Sequence, residues 1–326
     1  MSIISRLKTL MSRDSLSVID KISKKTNKSK ISIFLDVFAS YKKYMCDYRE
    51  YYYYEFYMLS DSERRTYITN KMNDNIINKY NNIEESVYLD NKGHFDTMFN
   101  YFINRKFIDL REVTFKEFKE FISDKDEVLV STTDYKSFEK IRIVKDLLRN
   151  EYNVLKIYNS IVKKDEVIIE ELLKENDKLL SLYDEGINYL RLNTFFDGER
   201  VHILSRVLKI NKSNEEKLYA ILDENGRVIY PAVNNNSQTF IIHPDTKKTI
   251  LDFEVPYYKE AEEIVKMAAS SLDKVRYVGW DVFIGEDKPS LLKATSRPLA
   301  FELKPSLRGK KEGHKKDYEK CIGERL

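Results

Sequence analysis

Through its first 125 residues the chain has a single glycine, Gly93, and no proline. Nothing in that stretch interrupts a backbone repeating helical dihedrals, because the two residues that most disfavour a helix interior are almost missing. Apolar and aromatic residues also recur there at helical spacing, as in Phe95, Phe99 and Phe102, and the pattern predicts a helical region over 1–125. Near residue 126 the texture changes to short β-prone runs, 127–130, 140–144, 166–169 and 189–195. Asp197-Gly198 and Glu224-Asn225-Gly226 lie between such runs as turns that need positive φ, which predicts antiparallel pairing. A helix is predicted over 259–272, with Ala261, Ile264, Val265, Ala268 and Leu272 along one face, followed by a strand over 277–284. The expected class is α+β, with helices over 1–125 and a mixed core over 126–326.

Composition narrows the function classes. Apolar residues make up 42% and charged residues 33%, which suits a folded chain and not a disordered one. Fifty-six basic against 53 acidic side chains leave a net charge of +3, too small and too mixed in sign for a nucleic-acid partner. The charge-rich 304–320 stretch is of mixed sign and reads as a solvated tail or terminal helix. Cys46 and Cys321 stand far apart with no Cys or His at metal-ligand spacing, so a reducing, cytoplasmic compartment is expected. No run approaches the roughly 18 apolar residues of a membrane span, and the first residues lack a signal-peptide core. The tyrosine-dense segment 47–57 reads as packed aromatics with wetted hydroxyls. His94, His202, His243 and His314 are dispersed and read as packing or surface residues. Dinucleotide-binding, Walker, zincin and nucleophile-elbow motifs are all missing from the sequence.

Larger-scale pattern is more informative. Arg276-Tyr277-Val278-Gly279-Trp280-Asp281-Val282 is preceded by His243-Pro244-Asp245-Thr246, by Val255-Pro256-Tyr257 and by the amphipathic helix. Upstream lie 167–171 (Val-Ile-Ile-Glu-Glu) and 187–191 (Ile-Asn-Tyr-Leu-Arg), and further upstream Arg64-Arg65, Tyr67-Ile68-Thr69 and Asn91-Lys92 to Phe95. In order and spacing these segments resemble the sugar-transfer-associated ATP-grasp family along nearly the whole chain. The resemblance implies ATP between two α+β subdomains with antiparallel sheets, activation of a carboxylate as an acyl phosphate, and attack by an amine or similar nucleophile. Such chemistry needs a lysine and a glycine-rich loop on the phosphates, and carboxylates holding magnesium.

Matched to the family, the chain offers Lys136 and Lys145 with the hinge residues Glu170 and Glu171 as cofactor-binding candidates. Arg191 and Arg206 are the catalytic candidates, and Asp281 is the metal ligand. Three departures accompany the match. No glycine occurs between Gly93 and Gly186, so the loop at 131–140 cannot adopt the family's usual backbone over phosphate. Lys293-Ala294-Thr295 falls where the family has Glu-Gly-Asn, placing an ammonium where a dication should sit. Lys212 to Leu218 replaces an Asp-Asn and a Gly-Gly turn.

Two readings result. The first is an ATP-grasp protein without ligase turnover, a binding or partner subunit in bacterial surface-polysaccharide assembly beside an active paralogue or a glycosyltransferase-pathway protein. The second is an active carboxylate–amine ligase rebuilt around Lys136 or Lys140 and Glu302. A nucleotide sugar or acidic glycan in the old cleft is a third occupant.

Overall fold

The computed structural model describes residues 12–133, 142–145, 147, 151–214 and 216–326. Two compact units emerge: one from Met1–Lys79, Asn236–Gln238 and Arg297–Leu326, the other from Tyr80–Asn235 and Thr239–Ser296.

In the first unit, helices α1 (Arg13–Thr26) and α2 (Lys30–Tyr44) are each opened by a serine, Ser12 or Ser29, whose hydroxyl accepts a backbone N–H three residues on. Each ends on a residue in the left-handed region, Asn27 or Met45. Helix α3 (Tyr48–Tyr53) carries a reciprocal cap: Asp47 accepts from Glu50 N, and Glu50 accepts from Asp47 N. The tyrosine-dense segment is core, as read from sequence: Tyr48, Tyr51, Tyr54, Phe56 and Tyr57 are buried with Ile22, Val37 and Tyr67. Tyr51 keeps a hydroxyl partner in Asp36, which Arg64 also grips with two nitrogens at 2.7 and 2.8 Å.

In the second unit every strand pairing is antiparallel. The smaller sheet has the order β1-β4-β2-β3, from β1 (Phe107–Asp109), β2 (Val128–Ser131), β3 (Arg142–Val144) and β4 (Ile168–Glu171). Strand β1 lies inside the region expected to be helical. Its pairing with β4 supplies the ladder that three residues do not specify alone. The larger sheet has the order β11-β10-β5-β6-β7-β8-β9, from β5 (Tyr189–Phe196), β6 (Val201–Asn211), β7 (Lys217–Ile221), β8 (Ala232–Val233), β9 (Thr239–Phe240), β10 (Tyr277–Ile284) and β11 (Pro289–Thr295). Helix α4 (Lys92–Met98) precedes both sheets in the chain, and α5 (Glu151–Lys163) packs Val154 and Ile161 against Val128, Val130 and Ile169 of the smaller sheet.

One face of the larger sheet is sealed by α6 (Tyr258–Ser270). Ala261, Val265 and Ala268 meet Leu190, Leu192, Leu208, Trp280 and Val282. Alternation along each strand sends the intervening residues to the other face. Gly226, in the turn foreseen at 224–226, has φ +82°, and an added Cβ would lie 2.3 Å from the Tyr258 ring; both the conformation and the helix's close approach demand glycine.

Candidate functional site

The face of the larger sheet away from α6 carries an ionic cluster built by cross-strand register. Asp281 on β10 lies opposite Arg191 on β5 and Lys293 on β11. Arg191 binds both carboxylate oxygens, its Nη2 at 2.7 Å, and Lys293 Nζ is 3.4 Å from Oδ2. Asp281 is wholly buried. Burial alone would raise its pKa, but Arg191, Lys209 and Lys293 reverse that and hold the carboxyl down at about 2. Burial pushes the Lys293 ammonium down to about 8 against the pull of Asp281, and that of Lys209 on β6 down to about 7. Lys209 Nζ lies 5.1 Å from the Tyr189 ring centroid and 5.9 Å from that of Tyr219, and Lys217 Nζ lies 5.6 Å from Tyr189.

A bulge after Asp281 pairs Val282 with Leu291 and leaves Leu292 as the extra residue. Leu292 joins Tyr189 and Phe283 in an apolar patch with Leu173 and Ile187. There Glu171, Leu172 and Leu173 border a recess also lined by Leu129, Phe283 and Leu292. The recess opens to solvent, and its water-accessible volume is about 10 Å³, roughly the room one water needs.

Beside the recess lies a second, fully buried network. Lys92 on α4 donates to Asp96 at 2.5 Å and to Glu170 at 2.6 Å, while Arg105 Nε donates to Glu170 at 2.5 Å. Burial works to raise Glu170, but Arg105 and Lys92 hold it well below the usual carboxylate range. Arg105 Nη1 also donates to Leu291 O at 2.8 Å, so the hinge strand of the smaller sheet is tied to β11 of the larger.

The sequence candidates therefore part company. Arg191 and Asp281 come together. Arg206 pairs in register with Leu192, on the helix-covered face, where its Nε donates to Tyr258 Oη at 2.8 Å and its Nη2 lies 3.7 Å from Glu262. Glu171 accepts from Lys106 N at 2.9 Å and pairs with Lys125 at 3.3 Å. Lys145 is exposed and lies 3.5 Å from Glu127. Lys136, like Lys140, lies outside the described residues. Glu302, in the first unit, accepts from Ile68 N and His314 N and lies 2.8 Å from His314 Nδ1. Sequence reasoning gave no site role to Lys209, Lys217, Lys92 or Arg105. Lys92 lay in a segment that carries the family resemblance, Asn91-Lys92 to Phe95, without a site role, and Lys209 was marked by the alternation of Ser205, Val207 and Lys209 against Leu208 and Ile210, but Lys217 and Arg105 have no motif of their own.

A family model described as sugar-transfer associated ATP-grasp matches residues 127–310. The chain belongs to that family. Its paired antiparallel sheets, with a helical region before them, are the ATP-grasp fold. Among solved structures it is similar to N5-carboxyaminoimidazole synthase from Aspergillus clavatus, at 11% identity and TM-score 0.44 over 72% of this chain and 52% of that one. It is also similar to D-alanine–D-alanine ligase from Bacillus anthracis, at 13% identity and TM-score 0.40 over 70% and 64% respectively. An ATP-grasp ligase complexed with a minimal precursor matches at 11% identity and TM-score 0.42, over 76% and 60%. The chain thus spans about half to two thirds of the length of these proteins. Among curated proteins, none matches the sequence.

ATP-grasp proteins bind ATP and magnesium, and the residues around Asp281 do not fit the metal. A guanidinium and an ammonium already neutralise its carboxylate, and its register partner on β11 is Lys293, a cation that repels a dication. Among the described residues, no three His, Cys, Asp or Glu side chains are grouped as metal ligands.

Proposed function

We propose that this ATP-grasp protein acts in the cytoplasm as a binding or partner subunit in bacterial surface-polysaccharide assembly, without ligase turnover. The observation that carries the reading is the Asp281–Lys293 pair across β10 and β11. Phosphoryl transfer depends on cations fixed against the transferring group by carboxylates, and here the second carboxylate is exchanged for a cation that repels a dication. A site rebuilt with Glu302 has little support, because that carboxylate already serves Ile68 and His314. In this reading the ligand is a nucleotide or a sugar-linked carboxylate, and the partner is an active ATP-grasp paralogue or another protein of the glycosyltransferase pathway.

The test is ADP release by the purified protein with a panel of uronic acids and amino acids. No release is expected. Turnover above about 0.1 per second, a tenth of the low end of ordinary enzyme rates, would overturn the reading.

A further inference from the structure

We propose that the outward face of the α1–α2 hairpin docks on an anionic lipid bilayer, with Ile31 and Leu35 entering the headgroup region among lysines. The inference goes beyond the proposed role, which sets no part of the chain against a membrane, and does not depend on it.

Charge sets the hairpin apart. Between Arg13 and Lys43 stand eight basic and three acidic side chains, a surplus of five in a chain whose net charge is only +3, so the remainder is net acidic. Two of the three carboxylates are already engaged, Asp20 by Lys24 at 2.7 Å and Lys30 at 2.5 Å, and Asp36 by Arg64 and Tyr51. Among the described residues, neither Lys21 nor Lys42 has a carboxylate partner.

The apolar pattern of α2 is two-sided. It buries Ile33, Val37 and Tyr44 in the tyrosine-rich core, yet its opposite stripe is Ile31, Leu35, Phe38 and Lys42 at helical spacing. Ile31 is 75% exposed and Leu35 59%, while Phe38 is half-buried with the Lys42 ammonium 4.5 Å from its ring centroid. A helix apolar on both faces is one that is covered on both, and α2 is covered on one. Helix α1 buries Ile19 and Ile22 in the same core and exposes the stripe Arg13, Ser17, Lys21 and Lys24. A basic stripe and an apolar one therefore both turn away from that core.

Charge also selects the occupant. A second copy docked face to face brings lysines against lysines, which repel. Seven of the eight cations are lysines, point charges on long stems and not the planar forks that grip a single carboxylate. The most exposed apolar side chains of the hairpin are aliphatic, unlike the Trp, Tyr and Arg anchors of protein interfaces. Diffuse negative charge above an apolar layer is what an anionic bilayer offers, and lysine stems lie along apolar surface while their heads stay at the headgroups.

The experiment is co-sedimentation of the full chain with large unilamellar vesicles of phosphatidylcholine, alone or with about 30% phosphatidylglycerol, at about 0.1 M and about 0.5 M salt. Binding is expected to the anionic vesicles at the lower salt, to fall at least tenfold at the higher, and to be undetectable on phosphatidylcholine. Lys21→Gln with Lys42→Gln should weaken it about 25-fold, roughly fivefold for each charge. Ile31→Ser with Leu35→Ser should weaken it about tenfold, the share that charge alone does not supply. Both pairs change exposed side chains, so thermal melting should not move. The proposal is overturned if the protein stays in solution beside anionic vesicles at the lower salt, which would leave the stripe to an acidic protein. It is equally overturned if phosphatidylcholine alone is bound as well, or if the Ile31→Ser, Leu35→Ser variant sediments as wild type. Light scattering without vesicles covers the second copy: a dimer that the same variant returns to monomer would give the face to self-association and sink the proposal. ADP release bears on none of these outcomes, so the bilayer contact and the turnover-free role fail separately.

Discussion

Asp281 and Lys293 lie directly opposite one another on adjacent strands, the ammonium 3.4 Å from a carboxylate with no exposed surface. The pair is an internal ion pair, and Arg191 completes the charge balance from the other neighbouring strand.

Lys293→Glu sets two carboxylates face to face with Arg191 as their shared cation. The variant should lose about 2 kcal/mol in urea unfolding, less than the 3–5 kcal/mol for stranding a fully buried charge because Lys293 is partly exposed. Adding Ser131→Lys should still leave ADP release undetectable, since the 132–138 segment has no glycine to let backbone approach phosphate. A restored rate near 1 per second would show that the two side chains alone had silenced the site.

The two arginines should behave differently although both sit on β strands of one sheet. Arg191→Met takes both guanidinium contacts from the buried Asp281, leaves it Lys293 at 3.4 Å, and should cost about 3 kcal/mol. Arg206→Met loses one hydrogen bond to Tyr258 and a long contact to Glu262, about 1 kcal/mol. Urea unfolding of the two variants checks the contrast, and equal losses would contradict the register that sends Arg206 to the helix-covered face.

Lys92, Asp96, Arg105 and Glu170 should act as a unit. Glu170→Gln removes the anion shared by Lys92 and Arg105, and about 3 kcal/mol of stability is expected to go with it. Lys92→Met should cost a similar amount, and the double variant less than the sum, since each single change already breaks the same network. Additive losses in a denaturation cycle would mean that the groups are independent.

Glu175 supplies a pH test. Its carboxylate is buried and accepts from Asn188 N at 3.1 Å. Burial pushes its pKa from 4.5 up to about 8, and the Asn188 hydrogen bonds only partly offset this. The folded state therefore holds a proton that the unfolded chain has released, and the resulting contribution falls as pH rises from about 4.5 to about 8. Glu175→Gln keeps an acceptor for Asn188 and removes the titration, so its stability relative to wild type should rise between pH 5 and pH 8 in urea melts. A pH-independent difference would place the folded pKa near its ordinary value.

The sequence by itself determined the local pieces. The strand at 277–284, the helix near 259–272, the glycine turn at 224–226 and the packed tyrosines were all legible because strand alternation, helical spacing and positive-φ turns are encoded by neighbouring residues. The collinear segments also carried the family, and with it the antiparallel sheets. Tertiary structure decided which charges meet. Arg191 finds Asp281 90 residues away, and Lys92 finds Glu170 78 residues away. Arg206 turns to the helix, and Glu302 is engaged by Ile68 and His314. The interleaved units likewise join residues before 80 to residues after 296. The physical reason is that a one-residue change of register between distant strands moves a side chain to the opposite face, and that register is set by the packing of the whole sheet against α6 and not by the residues beside each charge.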